Sequence, residues 1–174
     1  GRPRLVQRIA GTGLREGART VKVYVDSDWA GCRRTRKSTN GGVIMLDDAC
    51  MKFWSTTQAV RAISSGEAEY YAALKGASMA LGFQSMCADL GDEVKIRLYT
   101  DSAAAMGMMG RRGLGKVRHI EVGYLWLQDL VADKRVSIAK VKGTENPADL
   151  GTKHLSAEDI EKCVALINCF YTEG

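Results

Sequence analysis

Two apolar stretches decide the fold: Val21-Lys22-Val23-Tyr24-Val25-Asp26 and Val94-Lys95-Ile96-Arg97-Leu98-Tyr99-Thr100-Asp101. Each predicts a β-strand that ends in an aspartate. A carboxylate at the end of a buried strand loses its water, which is costly unless a cation, a cap or a hydrogen bond offsets the cost. A helical stretch that carries Glu69 lies between the two. Two such strand ends on adjacent strands therefore predict a divalent-metal site.

The composition of the chain predicts one soluble domain. Its 174 residues are 45% hydrophobic and include only two prolines, which suits a single core. The five cysteines are odd in number and form no C-x-x-C pair. They indicate reduced thiols in an intracellular protein of the cytoplasm or nucleus, with a disulfide or a zinc site as the alternatives. No apolar run approaches the length of a membrane span, and no signal-peptide pattern opens the chain.

The net charge of +5 is concentrated in three basic clusters. Lysine and arginine clusters attract phosphate backbones, whereas the simpler interpretation of any one cluster is solvated surface charge. Because all three accompany a carboxylate site, we expect a nucleic-acid partner. The clusters comprise the five arginines of residues 1–20, then Arg33, Arg34, Arg36 and Lys37, and then Arg111, Arg112, Lys116 and Arg118.

The hydrophobic periodicity predicts an α/β fold with a mixed five-stranded sheet flanked by helices. Three antiparallel strands come first, and two further strands follow. Residues 1–20 form a basic arm, residues 21–155 the domain, and residues 156–174 a C-terminal helix packed on it or appended to it. The predicted elements are strands 21–26, 43–46, 51–55, 94–100 and 136–141, and helices 64–90, 102–109, 119–132, one from Asn146, and 156–169.

The long helix should carry Glu69 down onto the sheet. Small residues recur at helical spacing on the stripe that contains Glu69, and small side chains let a helix approach a sheet closely. Glu67, two residues earlier, should point elsewhere. The small residues are Ala73, Gly76, Ala77 and Ala80.

Each carboxylate of the predicted site also has a structural interpretation. Asp26 and Asp28 suit a turn, Asp101 suits a helix N-cap, and Asp149 suits the first turn of a helix, where it favours the dipole. Glu69 could be a solvated helix residue. Together, however, Asp26, Glu69, Asp101 and Asp149 could not all stay ionised at close range without cations between them. Two divalent ions about 3.5 to 4 Å apart would resolve the repulsion, and Mg²⁺ suits an all-oxygen ligand set better than zinc.

Four motifs in a fixed order resemble those of the type 1 ribonuclease H domain. They are Tyr24-Val25-Asp26, Ser64-Ser65-Gly66-Glu67-Ala68-Glu69-Tyr70, Tyr99-Thr100-Asp101-Ser102 and Val141-Lys142-Gly143-Thr144-Glu145-Asn146-Pro147-Ala148-Asp149. A second set is similar, more narrowly, to the ribonuclease H at the end of copia-type LTR retrotransposon polyproteins. It comprises Asp26-Ser27-Asp28-Trp29-Ala30-Gly31, Arg36-Lys37-Ser38-Thr39, Glu67-Ala68-Glu69-Tyr70, Arg118-His119-Ile120 and Ala148-Asp149-Leu150-Gly151-Thr152-Lys153. The resemblance covers about residues 20 to 155.

This resemblance implies a metal-dependent endonuclease that hydrolyses the RNA strand of RNA/DNA hybrids during reverse transcription. Asp26, Glu69, Asp101 and Asp149 take the four catalytic and metal-binding positions. Two Mg²⁺ ions, or Mn²⁺ as a substitute, activate water and stabilise the leaving 3′ oxygen, so that the products have 5′-phosphate and 3′-hydroxyl ends. In such polyproteins a reverse transcriptase lies upstream, and residues 1–20 resemble its end.

Recognition of the hybrid requires contacts to 2′-hydroxyls and to phosphates. Candidates for the hydroxyl contacts are Ser27, Ser64, Ser65 and Ser102, and the second and third basic clusters suit the phosphates. Core packing is the expected role of Trp54 and Trp126, whereas Trp29, just after the carboxylate strand, could have either role.

The chain departs from the family pattern at three places. Residues 142–148 contain no histidine, although cellular relatives have one before the last aspartate; His119 and His154 lie elsewhere. Ser102 stands where copia-type domains commonly have asparagine. Gly41-Gly42 replaces an aromatic residue, which concerns packing rather than chemistry.

Three other functions compete with this hypothesis. A catalytically silent nucleic-acid-binding (connection) domain on the same fold should have lost its carboxylates, yet all four are present. A related nuclease or integrase needs a different carboxylate order and a glutamate on the final helix. A polymerase is excluded because no Tyr-x-Asp-Asp occurs.

Overall fold

The two aspartate-ended strands lie side by side at the centre of one sheet. The computed structural model describes residues 4–9, 19–113 and 125–173. Its strands are β1 (Arg4–Gln7), β2 (Arg19–Asp28), β3 (Thr39–Leu46), β4 (Ala49–Thr57), β5 (Val94–Thr100), β6 (Val136–Lys140) and β7 (Cys169–Thr172). Its helices are α1 (Ser65–Asp89), α2 (Ala103–Met109), α3 (Leu125–Ala132) and α4 (Ala157–Leu166), with 3₁₀ turns at Gly143–Glu145 and Pro147–Gly151.

The main sheet has the strand order β4-β3-β2-β5-β6, and this confirms the predicted mixed five-stranded fold. β2, β3 and β4 pair antiparallel, as short connections allow, and the tight β3–β4 turn places Asp47 at a φ of 53°. β5 and β6 pair parallel to their neighbours. Parallel pairing needs a long crossover, which α1 supplies before β5 and the α2–α3 segment supplies before β6.

The main core forms where α1 packs on the sheet. Val21, Val23 and Val25 of β2 are fully buried, and each contributes about 1.5 to 3 kcal/mol by leaving water. A Cβ added at Gly76 would lie 2.5 Å from Cγ1 of Val25, so the helix approaches as closely as a glycine permits. The predicted stripe of small residues is therefore confirmed as the packing face of α1.

Both ends of α1 are set by local chemistry. The Ser64 side chain caps the helix by accepting a hydrogen bond from the Glu67 N–H at 3.2 Å. At the other end Gly91 takes a φ of 81°, and the Asp92 N–H donates to the Cys87 carbonyl at 2.9 Å.

Two predicted helices are wrong in extent. The helix predicted from Asn146 is only the 3₁₀ turn Pro147–Gly151. The helix predicted over 156–169 ends at Leu166, because Asn168 at a φ of 58° reverses the chain into β7. The first six residues of the helix predicted over 119–132 lie outside the described residues, and α3 accounts for the rest.

The C-terminal strand pairs with the basic arm. β7 runs antiparallel to β1, which lies within residues 1–20, and together they form a separate two-stranded sheet. α4 and β7 close a second, smaller core through Val164, Ile167 and Cys169, which pack with residues of β3. The sequence analysis did not predict this pairing.

The three tryptophans occupy different environments. Trp54 is buried, as predicted, and a Cβ at the facing Gly42 would lie 2.0 Å from its ring, so Gly42 makes room for it. A Cβ at Gly41 would instead lie 2.6 Å from the Ala148 carbonyl oxygen. The core prediction for Trp126 is wrong, because 37% of that residue is exposed on α3. No helix within the described ranges combines the length and apolarity needed to cross a membrane.

Candidate metal centre

Three of the four predicted carboxylates converge at one edge of the sheet. One oxygen each of Asp26, Glu69 and Asp101 lies within 4.8 Å of the others. β2 and β5 are parallel neighbours, so their carboxyl ends bring Asp26 and Asp101 together, and the first turns of α1 place Glu69 above them.

Glu69 is partly buried beside the other two carboxylates. Its Oε1 accepts a hydrogen bond from the Ser27 backbone N–H at 3.2 Å. Its Oε2 is buried and has no hydrogen-bond partner among the described residues. Burial, followed by repulsion from Asp26 and Asp101, raises the pKa of Glu69 to about 8. A buried oxygen with a free lone pair beside two other carboxylates is a suitable ligand position for a cation.

Asp26 is 2% exposed, and its neighbours only partly compensate its charge. Burial raises its pKa to about 6, although the Thr152 hydroxyl donates a hydrogen bond to Oδ2 and Lys153 lies nearby. The Lys153 Nζ is 3.5 Å from Asp26 Oδ1.

Asp149 stands apart from the trio and is paired with Lys153. The Lys153 Nζ lies 2.8 Å from Asp149 Oδ1, in an i, i+4 relation across the 3₁₀ turn. Burial raises the pKa of Asp149 even though Lys153 opposes the shift. The pKa of Lys153 is itself raised: burial lowers it, but the bonds and charges of Asp149 and Asp26 outweigh that effect. The structure thus places a protein cation between two of the four predicted ligands.

Asn146 positions this turn against the sheet. Its Nδ2 donates to the Val25 carbonyl at 3.0 Å, and its Oδ1 accepts from the Ala148 N–H at 3.2 Å. Asn146 is almost fully buried, so Asp149 and Lys153 are held next to the end of β2. Sequence reasoning assigned Asn146 only a capping role and assigned none to Thr152 or Lys153. The signal available for Lys153 was its i, i+4 spacing from Asp149.

The residues present fit a hard divalent cation. The donor set of the trio is all carboxylate oxygen, which suits Mg²⁺ or Mn²⁺. A cation there would stabilise the ionised forms that burial now disfavours. Asp26, Glu69 and Asp101 would hold it, whereas Asp149 lies outside this cluster and is paired with Lys153.

Two other acidic residues have structural roles. Asp28 accepts a hydrogen bond from the Thr39 N–H, which closes the β2–β3 connection as the turn interpretation predicted. Glu67 is fully buried and accepts hydrogen bonds from the Tyr71 hydroxyl at 2.6 Å and from the Ile63 N–H at 3.1 Å. It turns away from the trio and stabilises the segment that enters α1.

The four serines predicted to contact 2′-hydroxyls lie near the trio and differ in burial and in hydrogen bonding. Ser64 and Ser102 are N-caps of α1 and α2, and Ser65 is exposed at the start of α1. Ser27 is buried, and its Oγ has no hydrogen-bond partner in the described part of the chain.

The two basic clusters predicted to bind phosphate occupy separate loops. Arg33, Arg34 and Arg36 are exposed and Lys37 is partly exposed between β2 and β3. Arg111 and Arg112 follow α2. The remaining members, Lys116 and Arg118, and also His119, lie outside the described residues, whereas His154 is exposed.

Comparison with known proteins finds relatives among transposon polyproteins. No protein-family model matches the chain. The chain is similar to the retrovirus-related Pol polyprotein from transposon TNT 1-94 of Nicotiana tabacum, with 30% identity over 149 residues, 84% of this chain. It is also similar to the corresponding polyprotein from transposon RE1 of Arabidopsis thaliana, with 28% identity over 166 residues, 88% of this chain. The chain spans only 11% of the length of each of these curated relatives.

Solved structures establish the fold. The N-terminal RNase H domain of a Mycobacterium tuberculosis protein, solved as a fusion with maltose binding protein, superposes with a TM-score of 0.58 and 16% identity. The match covers 85% of this chain and 98% of that chain. LC11-RNase H1, isolated from compost, gives a TM-score of 0.57 and 15% identity over 75% of this chain and 91% of its own.

Proposed function

We propose that this chain, a homologue of one region of retrotransposon Pol polyproteins with the ribonuclease H fold, is a copia-type ribonuclease H that hydrolyses the RNA strand of RNA/DNA hybrids. The observation that carries the proposal is the convergence of Asp26, Glu69 and Asp101, with one buried Glu69 oxygen left without a partner among the described residues. Burial raises the pKa of Asp26 and of Glu69, so their ionised forms are disfavoured without a cation beside them. These carboxylates suit a site whose cation arrives from solution.

The chemistry would be divided between the cation and the protein. Bound Mg²⁺ would supply Lewis acidity toward the phosphate and lower the pKa of a water nucleophile. Asp26, Glu69 and Asp101 would hold it as oxygen ligands. The Ser27 N–H donates a hydrogen bond to Glu69, and the Thr152 hydroxyl donates one to Asp26, so each of these carboxylates is held by one oxygen.

Asp149 would complete the site in its two-ion form. The ion pair with Lys153 now satisfies Asp149, so this residue is the ligand that becomes available last. We assign it the fourth metal position on the strength of its motif and of its place beside the end of β2.

The substrate would be held by cations and hydroxyls around the trio. A loop that contains four cations follows β2 directly, so its positive charge lies near the end of β2 that carries Asp26. The four cations are Arg33, Arg34, Arg36 and Lys37. Ser64, Ser65 and Ser102 lie at the helix starts beside Glu69 and Asp101, where they suit 2′-hydroxyl recognition. Arg111 and Arg112 would contact phosphate from the far end of α2. A reverse transcriptase in the same polyprotein is the expected protein partner.

One observation favours a second candidate, the catalytically silent binding domain. Lys153 already provides a cation to Asp149 and Asp26, and a domain without metal could retain that ion pair for stability. The retention of Glu69 and Asp101, which Lys153 does not pair with in the described structure, favours the enzyme.

The test is cleavage of an end-labelled RNA strand, alone and paired with DNA, in Mg²⁺ or Mn²⁺. We expect cutting of the hybrid only, and its loss in Asp101→Asn. Asp133→Asn is the matched control. Asp133 is an exposed aspartate just before the start of β6, at the end of the sheet away from Asp101, so this variant should cut the hybrid like the unaltered chain. If the unaltered chain and Asp101→Asn both bind hybrid and neither cuts it, the binding-domain function is supported.

A further inference from the structure

Trp29 is an exposed aromatic residue held in a fixed orientation. It follows β2 directly, and 52% of it is exposed. Its Nε1 donates a hydrogen bond to the Ala62 carbonyl at 3.1 Å, although Ala62 belongs to the segment between β4 and α1. An indole that served only to fill the core would be buried. The Trp29 indole is instead held by a hydrogen bond at its polar edge, and about half of the residue remains exposed to a binding partner.

The segment that holds Trp29 presents further apolar surface. Ile63 is 69% exposed, and its backbone N–H is bound to the fully buried Glu67. Val60, in the same segment, is also exposed. Exposed apolar residues anchored to buried groups form a surface that needs little ordering when it binds a partner, which lowers the entropic cost of binding.

This surface adjoins the carboxylate trio on two sides. Trp29 is three residues after Asp26, in the turn that follows β2, so their Cα atoms are at most roughly 11 Å apart. Ile63 immediately precedes Ser64, the cap of the helix that carries Glu69. The exposed cations Arg33 and Arg34 lie in the loop just after Trp29. Exposed apolar side chains and exposed positive charge therefore lie on the two chain segments that flank Asp26 and Glu69.

We propose that Trp29 and Ile63 form an apolar platform for the sugars and base edges of the hybrid, beside the point of cleavage. The inference rests on the proposed function and adds a substrate contact to it. An RNA/DNA hybrid presents sugars across a wide, shallow minor groove, which a rigid indole face can contact without base specificity. The flanking arginines would then take the adjacent phosphates.

The test measures binding of a fluorescently labelled hybrid by anisotropy in EDTA, so that no metal-dependent cleavage occurs, at several salt concentrations. Trp29→Ala should weaken binding about 5- to 100-fold, by analogy with the loss of aromatic contacts to nucleic acid. Trp29→Phe keeps an aromatic face and should bind within about threefold of the unaltered chain. Trp126→Ala is the matched control, because Trp126 is also partly exposed but is carried by α3, and it should bind normally.

The salt dependence separates an apolar contact from a general loss of structure or charge. Trp29→Ala should keep the slope of log affinity against log salt, whereas Arg33→Ala should reduce the slope by roughly one. Thermal midpoints confirm that each variant is folded. A Trp29→Ala variant that binds hybrid like the unaltered chain would overturn the platform.

Cleavage by the unaltered chain in Mg²⁺ is measured in parallel. If the unaltered chain binds hybrid but does not cut it, the proposed enzyme function fails while the binding comparison still tests Trp29. If it cuts hybrid and Trp29→Ala binds equally well, only the platform fails.

Discussion

Replacement of Lys153 by methionine should destabilise the metal-free protein and increase its response to Mg²⁺. The Lys153 Nζ lies 2.8 Å from Asp149 and 3.5 Å from Asp26, and methionine keeps the apolar stem while it removes the charge. Asp149 and Asp26 are both buried and would be left without this cation. Because the proposed divalent ion would compete with Lys153 for the same oxygens, removal of the Lys153 charge should also raise metal affinity.

The magnitude follows from distance and exposure. With an effective dielectric constant of about 20, charges 2.8 Å apart attract by about 6 kcal/mol. The Lys153 side chain is 41% exposed, so solvent screening and desolvation remove most of this energy. Exposed pairs contribute up to about 1 kcal/mol, and breaking fully buried ones costs about 3 to 5 kcal/mol. We therefore expect a loss of about 1 to 3 kcal/mol, or about 2 to 12 °C in the thermal midpoint.

The assay is thermal unfolding of both proteins near pH 8, first in EDTA and then with excess Mg²⁺. A cation that binds only the folded state raises the midpoint in proportion to the logarithm of its concentration over its dissociation constant. The increase should therefore be larger for Lys153→Met than for the unaltered chain.

Lys162→Met is the matched control for this experiment. Lys162 forms an ion pair with Glu158 on the exposed face of α4, 2.9 Å apart, and its loss should change neither the midpoint in EDTA nor the Mg²⁺ response. A Lys153→Met protein as stable as the unaltered chain in EDTA, with the same Mg²⁺ response, would refute the argument that Lys153 occupies a cation position.

Two further predictions concern the carboxylates and the core. In EDTA, the free energy of unfolding should fall as pH rises from about 4.5 to 8, because the folded pKa of Glu69 is raised from 4.5 to about 8 and that of Asp26 from 3.8 to about 6. The folded state then binds more protons than the unfolded state across this window, and stability is lost as those protons dissociate. Urea unfolding at several pH values should show a smaller fall in the free energy of unfolding for Glu69→Gln. An equal fall in both proteins would contradict the raised pKa of Glu69. Gly76→Ala should cost about 1 to 3 kcal/mol because its Cβ would meet Val25, whereas Gly82→Ala, in open space on the same helix, should stabilise the protein by up to about 1 kcal/mol. Urea midpoints compare the two variants, and equal effects would mean that α1 does not approach the sheet so closely.

Local patterns predicted the central elements correctly. β5 has the predicted bounds, β2 extends the predicted strand at both ends, and α1 begins and ends within a residue of the prediction. The small-residue stripe also predicted which face of α1 meets the sheet. These features depend on the period of apolar residues, on capping by Ser64 and on the conformational freedom of Gly91, all of which act over a few residues.

The candidate site was only partly predictable. Strand-ending aspartates and a close-packed helix indicated that Asp26, Glu69 and Asp101 would lie together, and in the structure they do. Asp149 had equal support from its motif but pairs with Lys153. Its metal-binding role, like those of the other three, remains a prediction for the cleavage and metal-response experiments.

Local spacing along the chain predicts the five strands of the main sheet, the long helix and the acidic side chains at strand ends, because each of these depends on neighbouring residues. Three contacts appear only in the packed fold: the pairing of β1 with β7, the hydrogen bond from Asn146 to β2, and the approach of Lys153 to two carboxylates. These contacts join residues that are far apart in the sequence: Arg4 pairs with Thr172, 168 positions later. Apart from the i, i+4 spacing of Asp149 and Lys153, no local spacing encodes them, because they depend on which groups find a partner once the sheet has assembled.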